Sequence, residues 1–94
     1  MFISKYFTLG MQVVTPKVNY EMRNPCFTLD VACAMSKYCN KNWGELSEED
    51  KEINNLALEY GDRLLGAYET CKGKIWIITE ADRSVTTIMF PEEY

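Results

Sequence analysis

Glu80, Ala81, Asp82, Arg83 and Ser84 form a charged island inside WIITEADRSVTTIMF, between two apolar runs rich in β-branched residues. As an enzyme site, Glu80 and Asp82 would be the paired carboxylates, with Arg83 the third residue. The sequence marks no substrate pocket for them, and the chain has no His to act as a base at neutral pH. The plainer reading is a turn: Asp and Ser bond nearby backbone groups, and the local ion pair remains solvated. The functional reading is a loop whose two acids and one Arg meet the charged groups of a partner.

Cys26, Cys33, Cys39 and Cys71 are the four thiols. No pair has CxxC spacing. A zinc site would have to gather all four across wide, irregular gaps, so the expectation is reduced thiols and no metal or other cofactor. A Cys nucleophile usually needs a His partner, which is absent. The phosphate-binding loop, the dinucleotide-binding glycine pattern and the nucleophile elbow are absent as well. The chain therefore reads as a non-enzyme.

The carboxylates are unevenly distributed. Between Glu45 and Glu59 lie Glu45, Glu48, Glu49, Asp50, Glu52 and Glu59, with Lys51 the only base. As structure alone, this is the solvated face of an amphipathic helix. As function, it is an acidic patch whose closely spaced carboxylates imitate phosphates, suited to a groove lined with Arg and Lys. Trp43 precedes the patch. It reads as packing between helices, or as an interface anchor. The candidate partner-binding residues are thus Trp43, Glu45, Glu48, Glu49, Asp50, Glu52, Glu80, Asp82 and Arg83. None is expected to be catalytic.

The elements that carry these residues follow from local pattern. Met1 to Tyr6 reads as a flexible arm. Leu9, Met11 and Val13 alternate against Gln12, which predicts a strand that Pro16 interrupts, with Lys17 to Met22 continuing as an edge strand or loop. Asn24-Pro25 predicts a helix start, because Asn caps and Pro suits the first helical position. Phe27, Val31, Ala34 and Tyr38 recur at helical spacing, and Asn40-Lys41-Asn42 ends the run. Trp43 to Leu46 is a linker. Ser47 then caps a second helix, the acids of its first turn favouring the positive end of its dipole. Ile53, Leu56, Ala57 and Tyr60 share one face of it, and Gly61 stops it. From Arg63 the period becomes two, with strands over 63–70, 74–79 and 85–90 joined by short turns. Trp76 reads as core or half-buried, and Tyr94 as a tail residue able to tuck against the sheet. The whole predicts one α+β domain over residues 1–94: an antiparallel three- or four-stranded β-meander with two helices packed on one face.

Composition bounds the rest. Ninety-four residues permit one domain with one modest core. Fourteen acids against ten bases give a net charge of −4 and a pI near 4.8. Direct binding to nucleic acid through a broad basic face is therefore not expected, and a basic protein partner is. No apolar run spans a bilayer and the first residues lack a secretory signal, so no membrane role and a cytoplasmic location are expected.

The run WGELSEEDKEINNLALEYGDRLLGAYET and the following GKIWIITEADRSVTTIMFPEEY, with Phe7, Leu9, Gly10, Val13 and Thr15 upstream, resemble a family of small "plasmid-related" proteins carried on mobile elements of Gram-positive gut bacteria. The resemblance covers over half the chain. The stretch IWIITEADRSVTT is its most specific part, and residues 19–42 depart from it. What it implies is a context: small acidic proteins of mobile elements often inhibit host defence nucleases, as anti-CRISPR and anti-restriction proteins do. The expected function is inhibition of a basic nucleic-acid-handling protein, such as a CRISPR effector. The alternative is an accessory or regulatory module of plasmid or conjugative-element maintenance, acting as a homodimer through an exposed edge strand.

Overall fold

The computed structural model describes residues 2–94. Four strands form one sheet: β1 (Met11–Val14), β2 (Leu64–Thr70), β3 (Gly73–Thr79) and β4 (Val85–Met89), in the order β1-β4-β3-β2. The last three form the expected antiparallel meander. β1 does not extend it in that sense. It runs parallel to β4, Met11 opposite Val85 and Val14 opposite Ile88, so the sheet is mixed. No tight turn joins β1 to β4; three helices intervene, and local sequence therefore does not dictate their relative direction.

Those helices are α1 (Pro16–Glu21), α2 (Pro25–Cys39) and α3 (Glu48–Tyr60), one more than expected. The segment read as edge strand or loop is α1. Thr15 caps it by accepting from the Val18 amide, and Pro16 opens its first turn. This is the same cap-then-proline device as Asn24-Pro25, where the Asn24 side chain accepts from the Cys26 amide. Ser47 caps α3 through the Asp50 amide, and Gly61 ends it at φ 77°.

α2 lies over one sheet face. Phe27, Val31, Ala34, Met35 and Tyr38 pack with Leu64, Tyr68, Ile75, Ile77 and Ile88. A polar chain crosses this core. The Thr86 hydroxyl donates to the Leu9 carbonyl (2.7 Å), so Thr79 must donate to Thr86 (2.7 Å) and Tyr38 to Thr79 (2.6 Å). Among the described residues no buried side-chain polar atom lacks a partner. Burial pushes the phenols of Tyr38 and Tyr68 well above the ordinary tyrosine range.

α3 does not cover the sheet face as a second layer. It lies at the outer edge of β2, attached by a side chain that imitates a strand. Asn54 is buried; its Oδ1 accepts from the Leu65 amide at 3.1 Å and its Nδ2 donates to the Leu65 carbonyl. Trp43–Glu45, expected as linker, completes that edge. Ala67 N–H donates to the Trp43 carbonyl (3.1 Å) and the Glu45 amide to the Ala67 carbonyl (2.7 Å). Gly44 makes this approach possible: it sits at φ 79°, and a Cβ there would lie 2.0 Å from the Ala67 oxygen.

Of the expected flexible arm, Met1 lies outside the described residues. Phe2 bonds the Gln12 side chain through both its N–H and its C=O, and Ser4 Oγ donates to the Cys39 carbonyl at 2.7 Å. Among the described residues no helix is long and apolar enough to cross a membrane.

Candidate partner-binding surface

The charged island is the β3–β4 connection, and its three charges diverge. Glu80 faces Arg63 at 3.5 Å. Asp82 accepts from the Ser84 amide at 3.0 Å, and hydrogen bonding from the Ser84 side chain first, then from this amide, holds its carboxyl below the usual carboxylate range. Arg83 turns inward. One guanidinium nitrogen donates to the carbonyls of Asp62 (2.6 Å), Glu80 (3.1 Å) and Ala81 (3.3 Å), and the other to that of Ala57 (3.3 Å). Arg83 therefore clasps the Ala57 carbonyl of α3 and the Asp62 carbonyl just past the helix to the β3–β4 loop, where a cation also complements the helix dipole. Its own backbone takes φ 60° to reach them. Nothing in this arrangement gathers Glu80, Asp82 and Arg83 around a common point.

Trp43 is buried, 2% exposed. Its indole packs against Phe7 and Tyr38, with ring centroids 6.2 and 5.5 Å away, and its Nε1 donates to Asn55 Oδ1 at 3.1 Å. It anchors the Gly44 bridge from inside and offers a partner no surface.

The acids are where the sequence put them. Glu45, Glu48, Glu49, Asp50 and Glu52 are all exposed around the start of α3. Lys51 answers Glu48, at 3.6 Å.

The apolar stripe of α3 is the unexpected part. Ala57 alone of its face packs inward. Ile53 is 60% exposed, Leu56 47% and Tyr60 73%. With Asp62 and Arg63 they line a groove of about 420 Å³. The reason is rotational. Asn54 and the Ala57 carbonyl are fixed by β2 and by Arg83, and residues 53, 56 and 60, roughly 100–160° around the helix from Asn54, then fall on the flank turned to solvent. Helical periodicity finds the stripe but is blind to which of two faces meets the sheet, and nothing in the sequence distinguishes the buried Asn54 from the exposed Asn55 beside it.

The rear sheet face carries a second hollow of about 290 Å³, lined by Arg63, Leu64, Leu65, Trp76, Ile78 and Tyr94. Tyr94 crosses Trp76 edge to face at 5.8 Å and its hydroxyl accepts from Arg63 at 3.0 Å, so the tail does tuck against the sheet.

The four thiols are free. Cys39 is buried, which raises its pKa. Cys26 and Cys71 meet beside Asp30, a convergence that sequence spacing does not show.

No family model, curated protein or solved structure matches the chain.

Proposed function

We propose that this chain is a non-enzymatic binding protein whose recognition element is α3, docked on a basic protein partner. The observation that carries this reading is the exposure of Ile53, Leu56 and Tyr60 on one side of a helix whose first turn is acidic. An apolar stripe at i, i+3, i+7 is the form of a helix-in-groove contact. The carboxylates of Glu48, Glu49, Asp50 and Glu52 suit a groove rimmed by Lys and Arg, and long-range attraction would speed the encounter. Grooves of that character normally hold nucleic acid. The partner class this favours is a nucleic-acid-handling defence protein, such as a CRISPR effector or another nuclease, which the bound chain blocks without covalent chemistry. The work belongs in the cytoplasm and fits carriage on a mobile element.

The test is affinity capture from host extract by the tagged full chain, with two variants beside it. One carries Ile53→Ser, Leu56→Ser and Tyr60→Ser; the other carries Glu48→Lys, Glu49→Lys and Asp50→Lys. Partners held by the native chain and released by both variants are the expected result. A partner retained equally by all three chains removes α3 from the interface. Substrate turnover by the purified chain, lost in Asp82→Asn, would overturn the non-enzymatic reading.

The accessory-module reading has one observation of its own. β1 is an edge strand, and Met11 (69% exposed) and Val14 (36%) stand open on it. Two copies can pair there by strand addition. Light scattering over a range of concentrations decides: a mass that does not change from that of one chain removes this reading.

A further inference from the structure

We propose that Cys26, Asp30 and Cys71 form a binding site for a thiophilic divalent cation of the zinc class. Their ligand atoms, two Sγ and a carboxylate oxygen, all lie within 4.8 Å of one another. Tetrahedral coordination at ordinary Zn–S and Zn–O lengths puts ligand atoms about 3.5–3.8 Å apart, so modest side-chain rotations close the site.

The fold brings the three together by two independent devices. Cys26 and Asp30 are one turn apart on the same side of α2. Cys71 comes from the turn between β2 and β3, 41 residues beyond Asp30, and its backbone N–H donates to Asp30 Oδ2 at 2.7 Å. That bond fixes the turn against the helix and orients the carboxylate. It is the outer hydrogen bond that metal-binding carboxylates ordinarily need.

The surroundings suit a cation. Two thiols and a carboxylate converge, and the adjacent Lys72 is drawn to Glu21 at 3.8 Å. Two sulfurs with one oxygen favour a soft or borderline metal over Mg²⁺ or Ca²⁺. Cys26 and Cys71 are exposed, which leaves the fourth position to water or to a ligand atom from another molecule. Cys33, further along α2, is not among the ligand atoms that meet, and Cys39 is buried.

The test uses the reduced full-length chain and Co²⁺ as probe. Expected are a thiolate-to-cobalt charge-transfer band, visible bands of tetrahedral intensity, saturation at one ion per chain, and displacement by Zn²⁺. Cys26→Ser and Cys71→Ser should each abolish the charge-transfer band, Asp30→Asn should weaken binding at least about tenfold, and Cys33→Ser should leave it unchanged. All four positions are at or near the surface, and circular dichroism checks that each variant is folded. Absence of the band in the native chain overturns the site, as does a band that persists in Cys71→Ser. A chain that fails to bind Co²⁺ when reduced, yet loses two hydrogens to a Cys26–Cys71 disulfide in the presence of oxidised glutathione, overturns it too, in favour of a thiol pair.

Discussion

Arg83 and Asn54 hold more of this molecule in place than their polarity suggests. Arg83 spends its guanidinium on four backbone carbonyls, one in the last turn of α3 and one just beyond its cap. Replacing it with Met keeps the stem and removes the donors. The expected cost is about 1–3 kcal/mol, because the carbonyls it joined lose charge-assisted partners. Arg83→Lys should recover only part of this, since one ammonium cannot reproduce a planar fork. Asn54 is the sharper case: it is buried, and both ends of its amide are engaged by Leu65. Asn54→Leu leaves the Leu65 N–H and C=O unpaired at the sheet edge, with an expected loss of about 1–3 kcal/mol. Urea denaturation measures both. An Asn54→Leu chain as stable as the native one would mean that α3 is held at the edge by something other than this amide.

At the scale of elements, the decisive fact about α3 is its rotation. A helix lying over a sheet would bury Ile53, Leu56 and Tyr60; this one, pinned at the edge, shows them to solvent. Truncating all three to Ser should therefore change stability by no more than about 0.5 kcal/mol per site. It should reduce partner affinity by roughly a hundredfold or more, as loss of anchor residues does. Denaturation and calorimetric titration give the two numbers side by side, and a large stability loss would mean that the stripe packs inward. Reversing Glu48, Glu49 and Asp50 should act differently. It slows association, weakens binding by roughly tenfold or more, and flattens the salt dependence. α1 teaches a related lesson. Thr15-Pro16 carried a legible helix start, but the alternation of Leu9, Met11 and Val13 just before it pointed to a continuing strand.

For the molecule as a whole, stability should depend on pH at both ends. The folded pKa values of Asp82 and Glu92 are lowered by hydrogen bonds from Ser84 and Lys17. Their contributions are complete above the ordinary carboxylate range and disappear as pH falls through the depressed folded values. The buried phenols of Tyr38 and Tyr68 and the thiol of Cys39 have raised pKa values, chiefly from burial. The unfolded chain gives up these protons first, so that stabilisation is present at neutral pH and declines from about pH 8.5–9 upward, more steeply above about pH 10. Thermal melts across pH should give a plateau between the two limbs. A stability that still rises beyond pH 10 would contradict the burial of both tyrosines. Replacing Tyr38 with Phe should soften the alkaline limb at some cost in stability, since it strands Thr79 without its donor.

The sequence alone determined what local physics controls. Asn24-Pro25 and Ser47 mark helix starts because a side chain can satisfy amides one turn ahead. Gly61 marks a stop because it can take a positive φ. The alternation after Arg63 marks three strands because neighbouring side chains leave a strand on opposite sides. The exposed acids followed from the same logic. Tertiary structure decided whatever depends on a partner distant in the chain. It set β1 parallel to β4, turned the stripe of α3 outward and buried Trp43. It spent Arg83 on carbonyls and brought Cys71 to Cys26 and Asp30. Each of these is fixed by hydrogen bonds or packing between segments that no periodicity links, so no window of sequence contains both halves of the interaction.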